Sequence, residues 1–581
     1  MARRIMKTNT IHREPVPSLN SAFGNVEGLY TNAEYHEIPG YRFRHDAKPH
    51  RHADLAKYLK SARGAFPLRH WIIQDVFNTE YLNGVLRLAA QYGMTGIQFS
   101  GDNIYWVGDS PQRYNTYVFT GELCERCHDL GLEAFFWTHE VNGNFHEWVR
   151  NGRYGFYGQL AGGTMDLSSK SGFWDALYEK YDVFLRRLTG VDGLVLTVNE
   201  SQLPVFRDDC IRSDLSPDER VAKVARTVKA ACDAHGKKLI LRTFCYTPDE
   251  TERIRRGVKR VARDLTVMVK CQPHDWHTFY PHDPLIEALS DFPRVIEFDM
   301  GHEPMGAGRV PYPDTDYLKW RFDYARSQGA MGVAGRVDRF RNHALGTLNW
   351  SSVYAFSRLA QAPATPADRI WDEYAVADFG KRNRVFITNL GRRLLEAGKN
   401  VFFLAKEWGT QHTNPLTFNS IEHNRRWSCA LWSPGEPEAV ANEALLKGPT
   451  PAFIEEVMTK KRAAVKDVRR LLTEVKARRT GLNQEDYRYL IEALRRTLVY
   501  AQAITAQHGV MLMTRHDAAR PKVERIYAAR IAADLVRLRR LIVHERVRLL
   551  DCGNEGCQYV PELLERFCRN VERHLAMRKA R

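Results

Sequence analysis

Three short runs decide the fold: LRTFCYT (241–247), TVMVKCQPHDW (266–276) and RVIEFDMGHEP (294–304). Each begins with β-branched, aliphatic or aromatic residues and ends in polar or charged ones. Strands of a parallel barrel have this form, because both faces are buried and the C-terminal ends deliver side chains to a catalytic face. A fourth run upstream, GLVLTVNES (193–201), has the same form. Together the four strand ends offer Glu200, Arg242, Lys270, Asp275 and Glu303.

The same rhythm extends outward. Further strand candidates are HWIIQDVF (70–77), TGIQFSGDNIYW (95–106), LEAFFWTHE (132–140) and GAMGVAGRVDR (329–339). Amphipathic helical stretches lie between most of them, such as EYLNGVLRLAAQYG (80–93) and ERVAKVARTVKAACDAHG (219–236). Eight strands alternating with helices predict an α/β chain, a (β/α)8 TIM barrel over 67–380. A doubly wound open sheet is the alternative, but no Gly-rich phosphate fingerprint follows the first strand. Residues 1–66 read as a short irregular N-terminal segment with a helix candidate at 53–64. From 381 to 581 the strand signals fade, and four long stretches with helical period predict an all-α C-terminal domain. The stretch 141–172 is rich in Gly, Asn and aromatics, as expected of a substrate-covering loop.

Composition narrows the function classes. With 581 residues, 44% hydrophobic, 12 Trp and 25 Tyr, the chain can bury a large core. Lys and Arg outnumber Asp and Glu by 85 to 69, a formal charge of +16. The basic runs KKRAAVKDVRR (460–470) and RLRRLIVHERVR (537–548) alternate charge with aliphatic residues at helical spacing. They read as solvated helix faces, so no nucleic-acid partner is expected. No apolar run reaches membrane-spanning length and no signal peptide is recognisable, so the expected location is cytoplasmic, with no membrane partner. Ten cysteines are scattered without zinc spacing, so no metal site is expected and the thiols read as reduced.

Carboxylates interleaved with tryptophans at strand ends point to glycoside hydrolysis. One acid protonates the leaving oxygen, another activates water or attacks the anomeric carbon, and aromatic faces stack on sugar rings. Glu200, ending the fourth strand as Asn-Glu, is the leading candidate. Asp275 follows the sixth strand. On the seventh, Glu303 competes with Glu297 and Asp299, and its place at the strand end favours it. Arg242 and Lys270 either neutralise buried acids or bind an anionic substrate group. Trp106, Trp137, Glu140 and His302 complete the expected substrate-binding set, the tryptophans reading equally as core.

At these residues the sequence resembles glycoside hydrolase family 67, the α-glucuronidases. LRTFCY (241–246) is similar to the family's WRAFVY-like strand, VMVKCQPHDW (267–276) to VQVKNGPIDF, IEFDMGHEPMG (296–306) to LEFQITQEYLG, and VNESQLP (198–204) to its SEGQPGP region. LGTLNWSSVYAFSRLAQAP (345–363) and DEYAVADFG (372–380) resemble its barrel-to-helix junction. The resemblance implies that Glu200 is the general acid, that Asp275 and Glu303 activate water, and that Arg242 and Lys270 hold the substrate carboxylate. It also implies an inverting reaction without a cofactor. The family carries a lysine where this chain has Leu196.

The expected activity is release of an α-linked glucuronic or 4-O-methylglucuronic acid from an acidic oligosaccharide. The alternatives are a retaining glycosidase acting on another sugar, with Glu303 as nucleophile, and a non-catalytic carbohydrate-binding barrel. Wide apolar stripes on the C-terminal helices are compatible with a homodimer formed through them.

Overall fold

The computed structural model describes residues 52–59, 66–76, 79–100, 111–140, 165–200, 205–206, 211–274, 276–302, 308, 310–339, 342–406, 408–409, 428–521, 523, 525–550 and 561–580. Eight strands close into a barrel: β1 (Leu68–Ile73), β2 (Gly96–Phe99), β3 (Glu133–His139), β4 (Gly193–Val198), β5 (Lys238–Thr243), β6 (Thr266–Lys270), β7 (Arg294–Asp299) and β8 (Gly332–Arg336). Each pairs in parallel with its sequence neighbours, and β1 closes the ring against β8. The predicted (β/α)8 barrel is therefore the observed one, and the open-sheet alternative is excluded. All eight predicted strands are present. The predicted runs extend past the observed ends because the polar residues at their C-termini belong to the loops.

Helices α1 (Thr79–Gln91), α2 (Pro111–His128), α3 (Phe173–Arg187), α4 (Pro217–Ala234), α5 (Pro248–Val258), α6 (Leu285–Ala288), α7 (Thr315–Ser327) and α8 (Trp350–Gln361) follow the strands in turn. Local chemistry sets their starts. Ser216 caps α4 with a reciprocal Glu219 capping box and Pro217 in the first turn. Thr247 caps α5 by accepting from the backbone N–H of Glu250, again with a proline in the first turn. Within the helix expected at 53–64, the described residues form a 3₁₀ segment, His52–Tyr58.

Period-two alternation divides the strand side chains between two cores. One set faces the helices. The other fills the lumen, where Ile72, Phe135, Trp137, Val195, Ile240, Met268, Val295 and Ala334 form a separate cluster. At Gly193 a Cβ would collide with the Phe135 ring and the Lys238 carbonyl, so glycine lets β4 pass the crowded lower layer. Leu196 lies on the helix side, in the core outside the lumen.

Beyond the barrel come α9 (Ala367–Phe379), α10 (Arg384–Phe402), the short α11 (Cys429–Trp432), α12 (Pro437–Lys447), α13 (Pro451–Ala477), α14 (Gln484–Ala518), α15 (Ala528–His544), α16 (Arg546–Leu550) and α17 (Pro561–Ala580). A distinct apolar core forms among α10 and α13 to α17. The 35-residue α14 joins the two bodies. Its first turns, with Tyr489, Leu490 and Leu494, pack on the barrel core, and its later turns, from Val499 to Met513, pack in the helical core. One residue of the predicted solvated faces departs from that reading. Lys461 is 1% exposed, and its ammonium donates to the carbonyls of Asn400 (3.1 Å), Val401 (2.6 Å) and Phe403 (2.9 Å), closing the C-terminus of α10. No described helix is long and apolar enough to cross a membrane.

Candidate active site

Strand register assembles the upper lumen. Thr197 lies beside Arg242, Ala334 beside Glu297, and Lys270 beside Glu297. Trp137 forms the floor. Its ring lies under two guanidiniums, with Arg242 at 4.4 Å and Arg336 at 5.4 Å from the ring centroid. Its indole N–H donates to Gln98 (2.9 Å). At 4% exposure Trp137 packs as barrel core, one of the two readings open for it.

Glu297 lies above this floor with no exposure. It accepts from Nε of Arg242 at 2.6 Å and from Nη2 at 3.1 Å, a bidentate pair, and Arg336 Nη2 stands 3.8 Å away. The third Arg242 bond runs from Nη1 to Glu200 Oε2 at 2.6 Å. Burial works against the Arg242 charge, but Glu297 and Glu200 outweigh it and raise the guanidinium above its ordinary value. Arg242 thus neutralises carboxylates of the protein itself, one of the two readings open for it. Lys270 is also buried, its ammonium lying over the rings of Phe244 (4.3 Å) and Trp276 (4.8 Å).

Glu200 differs from these groups in being about one-third exposed. Its position is imposed by Asn199, whose φ of 77° is left-handed. Asparagine tolerates that region better than most residues. The Asn199 backbone N–H donates to Glu140 Oε1 (2.8 Å), and its side-chain amide donates to the Phe244 carbonyl and to Glu250 Oε2 (both 3.0 Å). Glu250 Oε2 also accepts the Tyr246 N–H (2.6 Å). One carboxylate at the start of α5 therefore fixes both the turn that presents Glu200 and the loop that follows β5. Glu140, one of the expected substrate-binding residues, is fully buried and anchors this turn. Lys180, on α3, shares its surroundings. Burial pulls this lysine down to about 7, against the opposing charge of Glu140.

The left-handed turn recurs. Asn199, His274 and His302 are the positive-φ non-glycine residues among the described barrel loops, at 77°, 58° and 53°. They precede in sequence Glu200, Asp275 and Glu303, the three candidate catalytic carboxylates. Backbone held in this region costs about 1–3 kcal/mol and clusters at functional sites. His302 itself is buried, 3.2 Å from Ser352 Oγ and edge-on to Tyr312. Burial drives its imidazole down to about 3. In the β7 loop it packs against Ser352 and Tyr312. Asp275, Glu303, Trp106 and the predicted covering loop as far as 164 lie outside the described residues.

Several participants were not anticipated. Glu297 was ranked below Glu303, yet it forms the buried half of the central ion pair. Glu250, Arg336 and Gln98 were not singled out at all. A carboxylate at the third position of a helix following a candidate strand was the available signal for Glu250.

No family model matches the chain, family 67 included, and no curated protein matches it in sequence. Among solved structures, a glycoside hydrolase family 138 enzyme targeting pectin rhamnogalacturonan II is similar, with a TM-score of 0.54 and 11% identity over 88% of this chain and 68% of that chain. A family 115 4-O-methyl-α-glucuronidase with specificity for decorated arabinogalactans gives 0.49 and 10% over 87% of this chain and 62% of that one. An O-GlcNAc hydrolase of Thermobaculum terrenum gives 0.41 and 10% over 88% and 94%. With the family 138 enzyme this chain shares the (β/α)8 barrel fold.

Proposed function

We propose that the protein is a glycoside hydrolase acting on an α-linked uronic acid at the end of an oligosaccharide. The observation that carries this reading is Glu200, a partly exposed carboxylate fixed at the C-terminal mouth by a doubly anchored, left-handed Asn199. A group that exchanges protons with a sugar oxygen needs both access and a fixed direction. In the proposed reaction Glu200, which must take up its proton against the charge of Arg242, protonates the leaving oxygen, and Asp275 and Glu303 orient and deprotonate the attacking water. The recurrence of the left-handed residue before each of these acids supports giving them a common task. The choice of an anionic sugar follows from the resemblance, which makes Arg242 and Lys270 the partners of its carboxylate; both belong to strands that line the upper lumen, beside Thr197 and Glu297 in register.

The test is release of free sugar from a panel of acidic and neutral oligosaccharides, with the anomer of the product recorded. Uronic acid release with inversion, reduced about 10²-fold or more in Glu200→Gln, is the expected result. A retained anomer would reassign Glu303 as nucleophile. Release of neutral sugars alone would overturn the substrate class. Oligosaccharide binding without cleavage, unchanged in Glu200→Gln, would make the barrel a binding protein.

A further inference from the structure

An aromatic chain leads from the ion pair out to the helical region. The Phe244 ring lies 5.5 Å from the Arg242 guanidinium carbon. Tyr246 is edge-on to Phe244 at 5.0 Å, and His274 contacts both, at 5.3 Å from Tyr246 and 6.0 Å from Phe244. Trp432 comes next, near-parallel to His274 at 6.5 Å and tilted against Tyr280 at 6.5 Å. Phe244 and His274 are buried, whereas Tyr246 and Trp432 keep part of their surface exposed.

Trp432 belongs to α11, outside the barrel strands and their loops. Its position is nevertheless built. Cys429, one turn earlier, is buried, with its thiol donating to the Lys406 carbonyl (3.1 Å) and lying 3.8 Å from His277 Nδ1. His277 stacks on Tyr280 at 4.4 Å and meets Phe403 edge-on at 4.6 Å. The β6 loop and α11 thus interlock, which holds a large, partly exposed indole next to the mouth. Tyr246 is fixed at the other end, its N–H bound by the same Glu250 oxygen that holds Asn199. Two partly exposed aromatic rings, one tied to the presentation of Glu200 and the other supplied by the helical region, bracket His274.

We infer that Tyr246 and Trp432 form the aromatic wall on which a sugar ring of the substrate stacks, so that the C-terminal helical region supplies part of the binding site. The inference rests on the glycosidase reading and names the residues that bind the sugar. Pyranose rings present apolar C–H faces, and an aromatic ring held rigidly at its edges binds such a face with little loss of conformational freedom.

The experiment compares wild type with Trp432→Ala, Trp432→Phe and Tyr246→Ala on the oligosaccharide cleaved in the panel. Affinity for the same oligosaccharide is measured by calorimetry in the Glu200→Gln background. Stacking interactions predict KM raised about five- to tenfold in each alanine variant, with kcat changed less than about twofold. The calorimetric Kd should rise in parallel, Trp432→Phe should restore most of the loss, and melting temperatures should stay near wild type. Unchanged KM and Kd in both alanine variants, with hydrolysis still dependent on Glu200, would overturn the wall and leave the glycosidase reading intact. A panel with no Glu200-dependent hydrolysis would remove that reading instead. Calorimetry on the wild type then decides the wall separately, and oligosaccharide affinity insensitive to Trp432→Ala, or absent, would overturn it.

Discussion

Glu297 is held at the centre of the barrel by two hydrogen bonds from Arg242 and by the nearby charge of Arg336. In such a buried group, removing one partner is more damaging than the net worth of the pair, because the other charge is left desolvated. Glu297→Gln keeps the shape of the side chain but removes its charge. It is expected to destabilise the fold by about 3–5 kcal/mol, read by urea denaturation, and to lower activity by loosening Arg242 beneath Glu200. A loss below about 1 kcal/mol, the range of a single neutral hydrogen bond, would show that Arg242 is satisfied without it. Glu200→Gln contrasts with this. Its carboxylate is partly exposed and accepts a single bond from Arg242, which keeps its bidentate pair with Glu297, so activity should fall far more than stability.

At the scale of one element, α10 ends on a lysine of another helix. The Lys461 ammonium reaches three carbonyls at that terminus, and burial drives it well below its ordinary value. A helix end buried without such partners would leave its last carbonyls unsatisfied. Lys461→Met preserves the apolar stem and removes the donors, so it is expected to cost at least about 1–3 kcal/mol. Hydrogen exchange should locate the loosening at the α10 terminus and the hairpin Phe403–Leu404 with Trp408–Gly409. Protection unchanged there would overturn the capping role. Arg393 on α10 instead pairs with Asp467 and Glu474 on α13, partly exposed contacts whose worth is screened by water.

Over the whole molecule, buried titratable groups set opposing pH dependences. Burial raises Asp283 and Asp314 from 3.8 to about 7, so the fold holds their protons more tightly than the unfolded chain does. Their contribution is complete below pH 4 and is lost as pH rises through 7. Burial lowers His70 and His302 from 6.5 to about 3, and their contribution is instead lost as pH falls from 6.5 toward 3. Asp314→Asn removes one of the falling arms. Melting temperatures of wild type and variant should therefore diverge in the variant's favour between pH 4 and 7. A constant difference across that range would show that Asp314 is not the group involved.

The existence of eight strands, their order and their alternation with helices were legible in the chain, because each buried strand is a short apolar run bounded by polar turns. So was the position of Glu200, since Asn-Glu stands just past the end of a strand. The orientation of side chains within those strands was not legible. Both faces of a parallel strand are buried, so alternation leaves no apolar–polar contrast to tell lumen from helix side. Only closure of the barrel showed Glu297 under Arg242, 55 residues away in sequence, with Trp137 beneath both. Tertiary packing likewise turned Lys461 inward from a stretch whose charge pattern reads as solvated, and it carried Trp432 from the helical region to the mouth of the barrel. Local sequence determines which segments form strands and helices; contacts between distant segments determine which of their charges are buried together and which stay exposed at the mouth of the barrel.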